Sequence, residues 1–242
     1  MTEQVTARRD AISAGLQRVR SRIDFALAES GRRPGAVVIV VVTKTFPARD
    51  VRLLAELGVR DVGENRHQEA VEKYAACADL ELVWHFVGAL QTNKSAAVAG
   101  YADVVHSVDR LSLVSALAKG ARRADRTLRC LVQVSLDERP RIQGTTGRRS
   151  GADPSEVLEI ADAVAAGEDL QLVGVMGVAP LAGDPDAAFA RLADTATSVR
   201  GRHPGADLIS AGMSGDLEAA VRRGATHVRV GSAVLGARPP LG

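Results

Sequence analysis

Apolar residues recur along this chain in two alternating rhythms. Ile12, Leu16, Val19, Ile23 and Leu27 stand three or four positions apart with arginines between them, the spacing of one buried helix face. This predicts a long amphipathic helix over 1–31, stopped by Gly31 with Pro34 beyond it. Val37-Val38-Ile39-Val40-Val41-Val42 then runs six β-branched residues in a row, the signature of a strand buried on both faces of a parallel sheet. From there short apolar runs alternate with helical stretches. Further strands are predicted at 61–65, 82–88, 102–108, 128–135, 170–179, 208–212 and 227–235. Helices fall at 47–57, 66–77, 89–99, 109–124 (Asp109 as N-cap), from Asp153-Pro154 onward, 186–203 and 215–223.

Strict alternation implies parallel strands with helical crossovers, an α/β architecture. Eight such units close most simply into a single (β/α)8 TIM barrel, to which the N-terminal helix is extra. A doubly wound open sheet is the alternative, but it usually has fewer strands. No linker divides the chain, so 1–242 reads as one domain. The basic stretch 136–151 is the only long irregular connection, and such loops are often functional.

In a barrel the chemistry gathers at the carboxyl ends of the strands. That places together Lys44, Glu64-Asn65, His85 or Gly88, Ser107, Ser135, the 176–179 segment, Met213-Ser214-Gly215 and Gly231-Ser232. Lys44 ends the valine run, just before Thr45-Phe46-Pro47 breaks the strand. A partly desolvated amine there is a nucleophile able to form a Schiff base with a carbonyl compound. The alternative is a lysine that only caps the strand in water. Basic residues are mostly arginine, which cannot form an imine, and lysine stands only at 44, 73, 94 and 119. After strands seven and eight, the small residues of Gly212–Gly215 and Gly231-Ser232 expose backbone N–H groups at the usual phosphate position of this barrel. Each segment alone would equally well make a turn and an N-cap. Arg229 lies between Val228 and Val230, so it points inward if the valines face the helices. A buried arginine needs a partner, either an acid across the barrel such as Glu64 or a ligand.

Composition narrows the field. A net charge of +2 and 3% aromatic residues argue against nucleic-acid binding. The two cysteines, Cys77 and Cys130, are far apart, which gives neither a disulfide scaffold nor a zinc motif, and no metal site is expected. The first residues, MTEQVTARRD, contain no signal-peptide apolar core, and no apolar run approaches the ~20 residues of a membrane span. The expected setting is the cytoplasm, away from membranes.

An amine, a phosphate cradle and an inward arginine together suggest pyridoxal 5′-phosphate (PLP). The segments Val42-Thr43-Lys44-Thr45, Gly63-Glu64-Asn65 with Gln68-Glu69, and Trp84-His85-Phe86-Val87-Gly88 with Leu90-Gln91-Thr92-Asn93-Lys94 carry a specific resemblance. So do His106-Ser107-Val108-Asp109, Gly212–Ala220 and Val228-Arg229-Val230-Gly231-Ser232. In this order, over about residues 37–238, they resemble the pyridoxal phosphate homeostasis (YggS/PROSC) family. The resemblance implies a barrel like the N-terminal domain of alanine racemase, with PLP as a Schiff base on Lys44. Met213, Ser214, Gly215, Gly231 and Ser232 would hold the phosphate, Arg229 would face the pyridine nitrogen, and Asn65 and His85 would lie near the ring. His85 could equally be a buried histidine bonded to backbone.

Two departures from the family pattern stand out: Thr145–Gly151 lacks an acid and has arginine for lysine, and the sixth strand ends Gly177-Val178-Ala179-Pro180. The implied role is PLP homeostasis and delivery to apo PLP-dependent enzymes, by a monomer without strong turnover. The alternatives are a weak PLP-dependent amino-acid racemase, and a barrel binding another phosphorylated metabolite. A two-base racemase of this fold draws its second base from a further C-terminal domain, and the only tyrosines here are Tyr74 and Tyr101.

Overall fold

A computed structural model describes residues 3–137 and 151–237. Its first element is the expected long helix, α1 (Glu3–Glu29), which buries Ile12, Leu16, Val19, Ile23, Ala26 and Leu27. Eight parallel strands follow: β1 (Val38–Val42), β2 (Asp61–Glu64), β3 (Val83–Phe86), β4 (Val104–Val108), β5 (Leu128–Val134), β6 (Leu170–Gly177), β7 (Leu208–Ser210) and β8 (His227–Val230). They close into a barrel in sequence order, with β8 paired to β1 through Val38–His227 and Val40–Arg229. Helices α2 (Ala48–Glu56), α3 (His67–Ala76), α4 (Ser95–Ala99), α5 (Leu111–Arg123), α6 (Val157–Ala165), α7 (Pro185–Arg202), α8 (Leu217–Arg222) and α9 (Ser232–Leu235) complete the chain.

The pairing of each strand fixes which side chains enter the lumen. Val41, Val62, Val228 and Val230 pack outward among residues of α1 and α2. Their neighbours Val40, Val42, Gly63, His227 and Arg229 therefore face in. A Cβ on Gly63 would meet Val40 and Val42 at 3.1 and 3.3 Å, which agrees. The extra helix α1 lies across two short outer helices, α8 and α9, and shares an apolar cluster with them. Gly15 permits this approach, since a Cβ there would sit 2.4 Å from the Val234 carbonyl oxygen.

Three expectations need correction. The 89–99 run forms only a short 3-10 turn (Thr92–Lys94) and α4, because Gln91 stays extended. The 227–235 run is not one strand: it breaks at Gly231, and α9 follows. The N-cap of α5 is Arg110 rather than Asp109, whose carboxylate is taken by the Arg110 guanidinium at 2.5 Å. Asp153 caps as expected, with a capping box to Glu156 ahead of α6. The 138–150 part of the basic loop lies outside the described residues.

Candidate functional site

Strand β1 ends at Val42, and Lys44 follows in a tight turn closed by the Phe46 N–H donating to the Thr43 carbonyl. Lys44 lies two residues past the inward-facing Val42 and is half-buried. The turn is strained: Thr45, a β-branched residue, has φ +68°, which costs on the order of 1–3 kcal/mol. Three side chains hold it. The Thr45 N–H donates to Glu69 Oε1 at 2.7 Å, Lys73 Nζ donates to the Thr43 carbonyl at 2.7 Å, and Thr43 Oγ1 donates to Glu64 Oε1 at 2.6 Å. Lys73 also pairs with Glu64 at 2.6 Å in an almost fully buried contact. Burial pushes the Glu64 carboxyl up, against the opposing pull of the Lys73 ammonium and the Thr43 hydroxyl. The reading of Glu64 as an acid for Arg229 is thereby corrected: Glu64 follows inward Gly63, so it faces out toward α3.

Arg229 does point into the lumen, with 5% of its surface exposed. Its Nη1 donates to Ser210 Oγ at 2.6 Å and its Nη2 to the Gly177 carbonyl at 2.9 Å. Both partners end their strands, so the guanidinium lies near the carboxyl mouth. No carboxylate among the described residues pairs with it, and burial lowers its pKa to about 10. Two of the five guanidinium N–H groups are bound by these contacts.

The loop after β7 and the start of α9 meet beside that cation. Ser214 Oγ lies 3.4 Å from Ser232 Oγ and accepts from the Ala233 N–H at 3.3 Å. Gly212 adopts φ +89°, and a Cβ there would strike Ala220 at 2.7 Å, so only glycine fits this bend. A Cβ on Gly231 would approach the Val42 carbonyl oxygen at 3.1 Å. Met213 and Gly215 sit exposed at the rim. From α1, Arg22 braces the loop by donating to the Ser214 carbonyl at 2.9 Å and gripping Glu218.

Asn65 sits half-buried just past β2, and its Oδ1 is buried with no hydrogen-bond partner. His85 lies deeper. Both ring nitrogens are taken by side chains, Nδ1 by His106 Nε2 at 2.8 Å and Nε2 by Asp61 Oδ1 at 2.9 Å. The backbone-bonded reading of His85 is thus corrected. His106 continues the file, its Nδ1 lying 2.9 Å from Ser210 Oγ. Sequence reasoning gave no role to Asp61, Ser210 or Lys73, nor to Glu69 and His106, which it named only within the segments that carry the family resemblance. The missed signal in the lumen was parity, for His106 sits two positions after the lumen-facing Val104.

A half-buried lysine just past β1, a buried arginine with no carboxylate partner among the described residues and two small-residue loop ends stand at the carboxyl ends of the strands of a (β/α)8 barrel. The alanine racemase N-terminal-domain family matches residues 16–239. The pyridoxal phosphate homeostasis protein of Mycobacterium tuberculosis is 43% identical, covering 96% of this chain and 94% of that protein. The Escherichia coli protein of the same name is 34% identical, covering 94% and 97%. Among solved structures, Synechococcus elongatus PipY with PLP bound is 30% identical with a TM-score of 0.78, covering 93% of this chain and all of that one. The chain belongs to the pyridoxal phosphate homeostasis protein family, within the wider alanine racemase N-terminal-domain family.

Proposed function

We propose that this protein binds PLP at the carboxyl mouth of its barrel and serves PLP homeostasis, with Lys44 as the Schiff-base attachment point. The observation that carries the reading is Arg229: a buried guanidinium that no carboxylate pairs with among the described residues is expensive unless a ligand answers it. PLP answers it, for a pyridine nitrogen accepts from an arginine N–H. Membership in a family whose curated members are named homeostasis proteins supports the same reading. Ser214, Ser232 and the backbone of Gly215 and Gly231 would receive the phosphate, Met213 would lie at its rim, and Asn65 would lie by the ring. His85, expected beside the ring, has both ring nitrogens bonded to side chains and so would reach the ring by contact alone. When bound, PLP brings a reactive aldehyde and an electron-withdrawing ring. Arg229 only donates, so it holds the pyridine nitrogen unprotonated and weakens that withdrawal. The site holds the cofactor rather than driving turnover.

A weak amino-acid racemase is the second reading, favoured by the alanine racemase N-terminal-domain match. Tyr101 is a poor second base: its buried hydroxyl has its pKa pushed well up, chiefly by desolvation. Tyr74 packs edge-on against Trp84, outside the lumen. The test is to follow L-alanine with the PLP-loaded protein by chiral analysis. The expected rate equals that of free PLP; a saturable rate above it would establish the racemase. Gel-filtered PLP-loaded protein mixed with an apo PLP-dependent enzyme should restore that enzyme's activity, as delivery requires. Among the described residues no helix is long and apolar enough to cross a membrane.

A further inference from the structure

Apart from Arg229, the residues of the polar file through the lumen have no task in the function just proposed. Asp61 Oδ1, His85 Nε2 and Nδ1, His106 Nε2 and Nδ1, Ser210 Oγ and Arg229 Nη1 are joined by four successive contacts of 2.9, 2.8, 2.9 and 2.6 Å. They link five residues on β2, β3, β4, β7 and β8, from the amino end of β2 to the carboxyl mouth. His85, His106, Ser210 and Arg229 are each at least 95% buried, while the Asp61 side chain keeps 25% of its surface in water. Such a file costs packing that apolar side chains would provide, so it needs a reason.

We infer that Asp61, His85, His106 and Ser210 are positioning residues for Arg229, forming a relay that couples the cation at the mouth to the carboxylate at the far end of the barrel. Arg229 can only donate, so Ser210 Oγ accepts from it and is free to donate its own proton onward. His106 Nδ1 then accepts, His106 Nε2–H donates to His85 Nδ1, and His85 Nε2–H donates to Asp61. Every hydrogen in this order points toward Asp61, whose negative charge favours the whole set. Burial, with His85, Arg229, His227 and Arg129 nearby, keeps His106 neutral, as this order requires. A proton added to the file reverses the order: the His106 Nε2 proton passes to His85 Nδ1, which then carries a hydrogen on both nitrogens beside Asp61, the added proton takes His106 Nδ1, which donates to Ser210, and Ser210 turns its own hydrogen elsewhere. The grip on Arg229 therefore changes with protonation of the file. The groups facing the file are Asp61 from β2, Arg129 from β5, His227 and Arg229 from β8, with Asp207 beside His227 and Asp216 near Arg229.

The inference rests on PLP being the ligand, so wild-type protein is titrated with PLP first, and its visible spectrum and dissociation constant are recorded across pH 5.5–9. Asp61→Asn keeps an acceptor for His85 but removes the charge; Ser210→Ala cuts the file at its other end. Each is expected to weaken PLP about threefold or more and to move the midpoint of the spectral pH profile by about half a unit or more. Because either change breaks the same relay, the double variant should be no weaker than the worse single. Asp162→Asn, which breaks the His203–Asp162 pair on the outer helices, serves as control and should leave the profile in place. A wild-type protein that binds no PLP overturns the proposed function itself. A wild type that binds, with variant profiles overlaying it or a double loss equal to the product of the singles, overturns the relay alone.

Discussion

On its β4–β6 side the lumen is plugged by Val104, Leu131, Val173 and Met176, a dry cluster with no helix residue in it. On the β2, β3, β7 and β8 sides the same lumen holds Asp61, His85, Ser210 and Arg229, with His106 crossing from β4. The two halves share strands of one sheet yet do opposite work. The plug removes apolar surface from water at about 25 cal/mol per Å² and stabilises the barrel. The polar half gives up that gain and buries a cation with no carboxylate pairing among the described residues, a cost that two hydrogen bonds offset in part and the proposed ligand would offset further. Stability and binding are thus assigned to different sectors, and substitutions should separate them.

The largest effect is expected at the mouth. Lys44→Ala should abolish the borohydride-trapped adduct while leaving the fold intact by circular dichroism and some phosphate-dependent PLP binding; full-yield trapping would move the attachment to another lysine. In the plug, Met176→Ala should cost about 2–5 kcal/mol of stability through the cavity it leaves, read by urea denaturation, with PLP affinity of the folded protein unchanged. Arg229→Gln should do the reverse. Losing a charge-assisted donor of about 1.5–3 kcal/mol weakens PLP roughly 10- to 100-fold by titration, while ligand-free stability falls by no more than about 1 kcal/mol. If Met176→Ala weakened PLP as much as Arg229→Gln, the division between the halves would collapse.

The polar half also makes the fold acid-sensitive. Burial holds His106 well below its ordinary pKa and lowers that of His227 to about 4, so both stay neutral in the fold as the unfolded chain takes up protons. Stability therefore falls as pH drops through about 6.5. Between pH 6.5 and 5.5 each histidine is expected to remove about 1 kcal/mol, measured by urea midpoints at the two pH values. A midpoint that rose on acidification would contradict this. The smallest effect is at Arg22: Arg22→Ala should cost about 0.5–1 kcal/mol, as partly exposed ion pairs do, with a slight loss of PLP affinity from the loosened Ser214 loop.

The barrel was legible because alternation of β-branched runs with helical spacing is a local signal, repeated eight times. Local reading failed where one residue changes the backbone: Gly231 turned a predicted nine-residue strand into a four-residue strand and a helix. The inward turn of Arg229 was readable from strand parity, and the place of Lys44 from its position at the end of the valine run. Glu64 as the partner of Arg229 was not, since pairing depends on which acid faces the lumen, and Glu64 faces Lys73. The Asp61–His85–His106–Ser210 file was invisible for a related reason. Its members lie 21 to 104 positions apart and meet only when the barrel closes. His106 and Ser210 could have been flagged as polar residues at inward strand positions.

The most direct test of the account is to titrate the purified protein with PLP, reduce it with borohydride and map the product by mass spectrometry. A yellow band that bleaches on reduction and a pyridoxyl group on Lys44 are the expected result. A protein that stays colourless with excess PLP, or an adduct confined to Lys73, Lys94 or Lys119, would contradict it.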